Sequence, residues 1–298
     1  KFININIAGF DAYKHSGLAL VGDARVTLDE LTTAVGNYLT SAECRARAGE
    51  LNKKWDAEVE RIYGIRHGPP ISQGELIGAI NDLARPQDVV VNAAGSAPGD
   101  LHKLWRARDP KSFHIDYGYS TMGYEIPGAM GVKLAAPERE VYVLVGDGTF
   151  LMMPQEIVTC VQEGIKLNII LVNNYGFQSI GGLSNSLGSG GFGTHYKYRT
   201  GSGQLDGRDL AVDYAAIARG LGAVVIEATD YASFKNALVE SARQTKTTVT
   251  VITTDREARV PGYESWWDVA IAQVSEMDSV TTARAEYEQA LKKERNYF

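Results

Sequence analysis

The chain has 298 residues, of which 44% are hydrophobic and 31 are glycine, so it can bury a sizeable core in one large domain or two smaller ones. Its formal net charge of -6 gives no broad basic face, and we expect no nucleic-acid partner. Cys44 and Cys160 form no disulfide framework, and no stretch approaches the roughly 20 apolar residues of a membrane span. These features predict a globular, cytoplasmic protein that makes no membrane contact.

The first 64 residues precede the main domain in our interpretation. An alternating strand pattern from Phe2 to Ile7, with neither an initiator methionine nor a signal peptide ahead of it, is followed by a helical pattern from Asp23 to Thr40. We interpret residues 1–40 as the tail of a preceding central α/β domain in a longer protein. The highly charged run 41–64 is typical of a solvated helical connector.

Short apolar segments alternate with helical ones over residues 65–255, which predicts an α/β domain with a doubly wound, mainly parallel sheet. The predicted strands are 88–91, 141–145, 167–172, 223–227 and 248–253, and two predicted helices are 155–163 and 209–221. Residues 176–207 hold ten glycines and are too long for an ordinary connection, so we expect a functional loop or lid. Residues 256–298 are predicted to form a C-terminal helical extension.

A candidate metal site follows two of the predicted strands. Strand 141–145 runs directly into Gly146-Asp147-Gly148-Thr149, where the glycines permit a sharp turn and the amides at a helix start can bind an anion. The next strand ends in Asn173-Asn174-Tyr175-Gly176. Carboxylate, amide and carbonyl oxygens are the ligands that Mg²⁺ prefers, and ligands of such sheets bind at the carboxyl ends of the strands. Asp147 and Asn174 are therefore expected to meet at one metal ion.

The residues between Gly146 and Asn174 resemble the signature of thiamine-diphosphate enzymes of the pyruvate decarboxylase and acetohydroxyacid synthase kind. The resemblance implies a diphosphate-binding (PP-type) domain in which Asp147, the Asn174 side chain and the Gly176 carbonyl hold Mg²⁺, which in turn holds the cofactor's diphosphate. The other cofactor-binding candidates are Gly95, Ser96, Ser120, Met122, Gly146, Gly148 and Thr149.

Some of these candidates lie upstream of the metal turn, and one further candidate lies after it. The segment that contains Ser120 and Met122 resembles the family segment in which a bulky apolar residue props the cofactor into a bent shape, and Met122 occupies that position. Ser96 follows a predicted strand and could donate a hydroxyl or amide hydrogen bond to the diphosphate. Gln178, just past the metal ligands, is a candidate for facing the reacting carbon.

Four further segments resemble the 3D-(3,5/4)-trihydroxycyclohexane-1,2-dione hydrolase family of myo-inositol catabolism: 93–96, 99–105, 179–184 and 191–194. The resemblance implies a thiamine-diphosphate- and Mg²⁺-dependent hydrolase that opens a small polyol dione to 5-deoxyglucuronate, working as a homodimer or homotetramer. In that family a pyrimidine-binding N-terminal domain bears the glutamate that activates the cofactor. We expect that domain to be missing here, so that this chain alone does not turn over.

Three other interpretations stay open. An acetohydroxyacid synthase or 2-oxo acid decarboxylase would share every metal and diphosphate residue, and only the loop after Gly176 would separate it from the hydrolase. A non-catalytic cofactor-binding subunit would keep the fold without turnover. A nicotinamide-dependent oxidoreductase is disfavoured, because the GxGxxG pattern at residues 188–193 has no apolar strand leading into it and no helical pattern after it.

Overall fold

The structure is a computed structural model that describes residues 2–262 and 266–294. It divides into two compact units: a smaller one with the described residues up to Asp56 and from Glu286 onward, and a larger one, Ala57–Ala285. None of the helices in the described ranges is both long enough and apolar enough to cross a membrane. The domain limits predicted from the sequence stay a prediction.

The smaller unit is built around two short parallel strands. Its elements in chain order are β1 (Ile3–Asn6), α1 (Gly9–Ala12), β2 (Leu18–Val21), α2 (Ala24–Val35) and the start of α3 (Ala42–Gly64). β1 pairs with β2 in parallel, and the second strand was not predicted. Helix α2 begins after Asp23, whose side chain accepts a hydrogen bond from the Val26 amide at 3.0 Å. It ends at Gly36, before the predicted Thr40, because Gly36 adopts φ +57°.

The larger unit has six strands and the helices that connect them. Its strands are β3 (Val89–Asn92), β4 (Phe113–Ile115), β5 (Val141–Gly146), β6 (Asn168–Asn173), β7 (Val224–Ala228) and β8 (Thr248–Thr253). Its helices are α4 (Gln73–Leu83), α5 (Ala97–Leu104), α6 (Glu125–Ala135), α7 (Asp147–Phe150), α8 (Glu156–Gln162), α9 (Gln178–Ser186), α10 (Tyr214–Gly220), α11 (Tyr231–Arg243) and the start of α12 (Asp278–Leu291).

All pairings in the six-stranded sheet are parallel, and the strand order is β4-β3-β5-β6-β8-β7. This confirms the predicted α/β fold with a parallel sheet. The central strands are buried along their length, and Val141–Val145 of β5 are at most 2% exposed. A strand without a polar face forms here because helices cover the sheet on both sides.

The strand order places a crevice beside β5. The chain leaves β3 toward β4 at one edge, whereas it leaves β5 toward β6 on the other side. Connections that diverge in this way leave a gap outside the carboxyl ends of the two strands, which is where ligands bind in open α/β sheets. Residues that follow β3, β5 and β6 can therefore face one another across this gap.

Two regions differ from their prediction. The glycine-rich segment 176–207 contains helix α9, so it is not a loop throughout. Helix α10 begins at Tyr214, not at Asp209, because the Asp213 side chain caps it and residues 197 and 209 form an antiparallel bridge. In the predicted C-terminal extension the structure describes α12, whereas the part of that prediction on residues 263–265 and 295–298 lies outside the described residues.

Candidate functional site

A cleft opens at the crevice, with about 750 Å³ of space including the solvent at its mouth. Its lining comes from the start of α4, the loop after β3, the segment before α6, the turn after β5, and the end of β6 with the loop that follows it. The lining residues are Gln73, Ala94, Gly95, Ser96, Ala97, Ser120, Met122, Gly146, Gly148, Thr149, Val172, Asn174, Gly176, Phe177, Gln178, Ser179 and Ile180. None of these lining residues is a lysine, an arginine or a histidine, and the His195 ring lies next to the lining, with its Nδ1 3.3 Å from Gln178 Nε2.

We call residues 146–149 and 174–176 the metal wall of the cleft. Asp147 is fully buried, and its Oδ2 accepts hydrogen bonds from the Gly176 amide at 2.9 Å and from the Tyr214 hydroxyl at 3.4 Å. These two donors fix the carboxylate by one oxygen, and Oδ1 faces the side chain of Asn174. Burial raises the pKa of Asp147 to about 6, because the charged form loses its hydration.

The Asn174 amide decides what the metal wall can bind. One terminal atom of that amide lies 3.0 Å from Asp147 Oδ1 and 3.0 Å from the Gly176 carbonyl oxygen. With nitrogen at this position the amide donates two hydrogen bonds and closes the site. With oxygen there, three oxygens converge, and adjacent ligands of an octahedral Mg²⁺ are about 3 Å apart, given Mg–O distances of about 2.1 Å. The donor set therefore fits a magnesium ion.

The candidate metal ligands come from two short segments, and only one of them, Asp147, carries a charge. Among the described residues no group of three or more His, Cys, Asp or Glu side chains is placed to hold a metal. The metal wall offers one carboxylate, one amide and one carbonyl, a set that leaves coordination positions for other oxygen ligands. A hard cation that shares its coordination shell with phosphate oxygens is bound in this way.

Gly176 has a backbone that no other residue could provide. Its φ is +135°, and a Cβ atom would overlap the carbonyl oxygen of Thr194. The close approach arises because the chain returns to pair with it: the Phe177 amide donates to the Thr194 carbonyl at 2.8 Å, and Gly176 forms an antiparallel bridge with His195. The loop between Gly176 and His195 is thus closed by its own backbone.

The turn after β5 differs in one respect from the prediction. Helix α7 is a single turn of four residues, and α8 begins only at Glu156. The macrodipole of α7 is therefore small, and any anion at this turn would be bound by the backbone amides themselves. Gly148 must lack a side chain, because a Cβ atom there would lie 2.9 Å from the Phe177 ring.

We call residues 94–97, with the side chains that support them, the β3 wall. The Ser96 hydroxyl donates to Gln73 Oε1 at 3.1 Å, and Gln73 Nε2 donates to Asp100 Oδ2 at 2.6 Å. Because the Gln73 oxygen must be the acceptor, the Ser96 proton is committed to it, and a ligand would meet the hydroxyl's lone pairs or the loop amides. Burial raises the pKa of Asp100 to about 6.

A second carboxylate lies behind the same wall. Glu125, at the start of α6, is 1% exposed, and its Oε1 accepts a hydrogen bond from the Ala94 amide at 3.0 Å. Its Oε2 is buried without a hydrogen-bond partner in the described structure. Burial raises the pKa of Glu125 to about 6, although backbone amides around it act in the opposite direction. Glu125 thereby links the loop after β3 to the segment that carries Met122.

That segment reaches the cleft through a constrained backbone. Ser120 has φ +50°, and its hydroxyl donates to the Tyr117 carbonyl at 3.2 Å. Gly123 has φ +94°, and a Cβ atom there would lie 2.9 Å from Met153 Cβ. These turns bring Met122 to the cleft wall, where it is an apolar side chain among polar neighbours.

The structure brings the predicted site residues together. Gly95, Ser96, Ser120, Met122, Gly146, Gly148, Thr149, Asn174, Gly176 and Gln178 all line the one cleft, and Asp147 is buried beside Asn174. Their assignment as cofactor or metal ligands stays a prediction. Residues 188–193, which match GxGxxG, follow helix α9 instead of a strand.

The sequence interpretation missed three contributors to the site. Gln73 lies between Ser72 and Glu75, which form a capping box. Such a box marks the start of a helix but does not predict a cleft. For Glu125 the sequence did carry a signal, because it is a charged residue in a glycine- and alanine-rich helix. Tyr214 gave none, because it lies 67 positions from Asp147 and only the fold joins them.

Comparisons with known proteins agree with this geometry. Residues 93–253 match the family described as thiamine pyrophosphate enzyme, C-terminal TPP binding domain. The chain belongs to this family. Its solved neighbours include a thiamine diphosphate-dependent 4-hydroxybenzoylformate decarboxylase of Rhodococcus jostii RHA1, with a TM-score of 0.63, 18% identity, and coverage of 86% of this chain and 44% of that one. At this identity the likeness supports the fold alone.

The names of the curated relatives are more specific than the description of the family. The chain is 36% identical to 3D-(3,5/4)-trihydroxycyclohexane-1,2-dione hydrolase of Geobacillus thermodenitrificans (strain NG80-2) and 35% identical to the hydrolase of the same name from Bacillus cereus (strain AH820). Each match covers 100% of this chain and 50% of the relative. The chain therefore spans about half the length of the curated relatives it matches.

Proposed function

We propose that this chain is the diphosphate-binding part of a thiamine-diphosphate-dependent hydrolase that cleaves the carbon–carbon bond of a cyclic 1,2-dione. The observation that carries the proposal is the convergence of Asp147, Asn174 and Gly176 oxygens beside a cleft at the crevice of a TPP-binding domain. The names of the curated relatives support the substrate class.

Mg²⁺ is the proposed partner of the metal wall. Asp147 Oδ1, the Asn174 side-chain oxygen and the Gly176 carbonyl would hold the ion, and the ion would bind the diphosphate and fix its position. The amides of Gly148 and Thr149 and the β3 wall would complete the diphosphate site. The metal acts in this proposal as a template and not as a Lewis acid on the substrate.

Bound thiamine diphosphate would supply the nucleophilic carbon and the electron sink that carbon–carbon cleavage next to a carbonyl requires. The residues of this chain would bind and orient it: the metal wall would hold the diphosphate, and Met122 would support its bent conformation from one side. The overall change is balanced by one water. Its hydroxyl goes to one carbonyl carbon, which becomes a carboxylic acid, and a proton goes to the other, which becomes an aldehyde, giving 5-deoxyglucuronate.

The main alternative is a 2-oxo acid decarboxylase or acetohydroxyacid synthase. It would share every metal and diphosphate residue named above. The names of the curated relatives favour the hydrolase over this alternative.

Turnover requires more than the groups in this chain. We propose that a pyrimidine-binding domain with an activating glutamate completes the site and that the enzyme is a cytoplasmic homodimer or homotetramer. A non-catalytic subunit would have no need for a buried carboxylate beside an anion site, because burying Asp147 has an energetic cost that its raised pKa records.

The test is ring opening of trihydroxycyclohexane-1,2-dione by the complete protein with thiamine diphosphate and Mg²⁺, run beside pyruvate and beside Asp147→Ala. We expect the dione to be consumed, an acid to form, and the substitution to abolish the reaction. Consumption of pyruvate alone would keep the cofactor site and reject the substrate. No reaction with either compound, together with tight binding of the cofactor, would favour the non-catalytic subunit.

A further inference from the structure

The side-chain oxygen of Gln178 is a buried hydrogen-bonding group that no described residue pairs. It is the first residue of α9, it lines the cleft, and it is 8% exposed. We propose that Gln178 recognises a hydroxyl group of the substrate and that His195 holds the Gln178 amide in the required orientation. This inference rests on the proposed function and extends it to the recognition of the substrate.

The orientation of the amide follows from its neighbours. Gln178 Nε2 donates to the Asn174 backbone carbonyl at 3.0 Å and lies 3.3 Å from His195 Nδ1. A carbonyl oxygen is only an acceptor, so the nitrogen of the amide must face it. The oxygen is thereby directed elsewhere, and Gln178 Oε1 is buried with no hydrogen-bond partner among the described residues.

An unpaired buried acceptor is costly, and native proteins pair most such groups. A ligand that brings a hydroxyl donor to Gln178 Oε1 would remove that cost on binding. A carboxylate would bring only further acceptors to this position. Gln178 Oε1 therefore favours a hydroxyl-bearing ketone over a group without a donor.

His195 is placed by the closed loop described above. The chain returns so that the Phe177 amide bonds to the Thr194 carbonyl and Gly176 bridges to His195. Because Gln178 Nε2 can only donate, His195 Nδ1 is the acceptor of this contact, and the ring proton is then on Nε2. His195 is in this view a positioning residue.

The experiment compares two neutral diones that differ in their hydroxyl groups. The complete protein, loaded with thiamine diphosphate and Mg²⁺, is assayed with trihydroxycyclohexane-1,2-dione and with unsubstituted cyclohexane-1,2-dione. Gln178→Met keeps the length of the side chain but removes its donor and acceptor. We expect kcat/KM for the hydroxylated dione to fall about 10- to 100-fold, and that for the plain dione to change less than about 3-fold.

Two variants of His195 test the positioning role. His195→Leu removes the acceptor, and we expect the same selective loss at about 3- to 10-fold. His195→Asn keeps an acceptor oxygen close to the position of Nδ1 and should restore most of the preference. If His195→Asn and His195→Leu lose activity equally on both diones, His195 serves the loop's packing and that part of the inference is wrong.

The outcomes separate the two proposals. If the unmodified protein opens neither dione, the proposed function fails whatever the variants do. If it opens both diones equally well, or if Gln178→Met lowers both reactions by the same factor, the hydrolase stands and the recognition role of Gln178 is rejected. Only a loss confined to the hydroxylated dione supports the inference.

Discussion

The two walls of the cleft satisfy their polar groups in different ways. In the β3 wall, Ser96, Gln73 and Asp100 form a chain of hydrogen bonds within the protein. In the metal wall, three oxygens can converge around Asn174 with no donor between them. The Ser96, Gln73 and Asp100 side chains of the β3 wall are paired as the chain folds, whereas the oxygens of the metal wall are paired either by the Asn174 amide nitrogen, which closes the site, or by a cation.

This difference predicts whether a substitution changes mainly the stability of the fold or mainly the affinity for a ligand. Groups that are paired within the protein contribute to stability in the absence of a ligand, and their loss changes both stability and affinity. Groups that only a ligand can pair are a cost to the folded state, and their loss affects binding far more than folding. Substitutions in the two walls should therefore have opposite profiles.

The largest effect is expected at the metal wall. Asn174→Ala removes one candidate ligand, and we expect Mg²⁺-dependent binding of thiamine diphosphate to weaken by at least about 100-fold, because even outer-shell changes cost about 10- to 100-fold in metal affinity. Isothermal titration of the full chain with thiamine diphosphate, with Mg²⁺ and with EDTA, measures this. The unfolding midpoint without ligands should change little.

The neighbouring Asn173 is the matched control. Its Nδ2 donates to Thr253 Oγ1 at 3.4 Å, and it does not line the cleft. Asn173 Oδ1 also accepts a hydrogen bond from the Tyr175 amide at 3.3 Å. Asn173→Ala removes these two long hydrogen bonds but no candidate ligand, so it should leave the cofactor affinity within about 3-fold of the original. Equal losses for the two alanine variants would place the effect in the fold of the loop and remove the metal assignment.

The second contrast uses one glycine from each wall. Gly176→Ala forces a Cβ atom against the Thr194 carbonyl, whereas a Cβ atom on Gly95, which has φ +91°, would meet no other atom within 4 Å. We expect Gly95→Ala to cost about 1 kcal/mol of unfolding free energy from backbone strain alone. Gly176→Ala should cost about 2 to 3 kcal/mol or more, since steric overlap adds to the strain.

Urea unfolding of both variants checks this contrast, and cofactor titration extends it. Gly176→Ala should also lose Mg²⁺-dependent binding, because the backbone that carries the candidate carbonyl ligand has to move. Gly95→Ala should keep most of it. If the two variants lose the same stability, the close return of the chain at Thr194 is not a constraint on the metal wall.

Most of the sheet could be predicted from the sequence, because its strands are continuous apolar runs such as Val141–Val145. Strand β4 could not, since Phe113–Ile115 is too short for a periodic pattern and is stabilised by its pairing with β3. Helix α9 was hidden by its glycines, which lower helix propensity, and it forms where the closed loop holds it.

For the candidate site, local motifs were sufficient to predict that Asp147 and Asn174 lie together, because each follows the end of a strand. Contacts between segments that are distant in the sequence could not be predicted from it. The bond from the Tyr214 hydroxyl to Asp147 and the approach of His195 to Gln178 depend on how the chain returns to the sheet. No spacing in the sequence encodes these contacts, so their residues could be named only as isolated candidates.

The smallest effect is expected behind the β3 wall, at Glu125. Burial raises its pKa from 4.5 to about 6, so the folded chain binds a proton more tightly there than the unfolded chain does. Its contribution to stability is therefore full below pH 4.5 and is lost as the pH rises through about 6, at a total cost near 2 kcal/mol from about 1.4 kcal/mol per pKa unit. Glu125→Gln should remove this part of the pH dependence.

The measurement is urea unfolding of the chain in EDTA at about pH 4.5 and about pH 8, on either side of the titration. Asp147 and Asp100 also have raised pKa values near 6, so the unmodified chain should lose stability over this range through all three groups. Glu125→Gln should reduce the difference between the two pH values by up to about 2 kcal/mol, with the gain at the higher pH, because the neutral amide is never charged.

The same substitution should affect binding only weakly. The amide oxygen that replaces one carboxylate oxygen of Glu125 can still accept from the Ala94 amide, so cofactor affinity should fall only a few-fold. An unchanged pH difference would mean that the Glu125 carboxylate is as well solvated in the folded chain as in the unfolded one. The contrast between the two walls would then rest on the hydrogen bonds among Ser96, Gln73 and Asp100 alone.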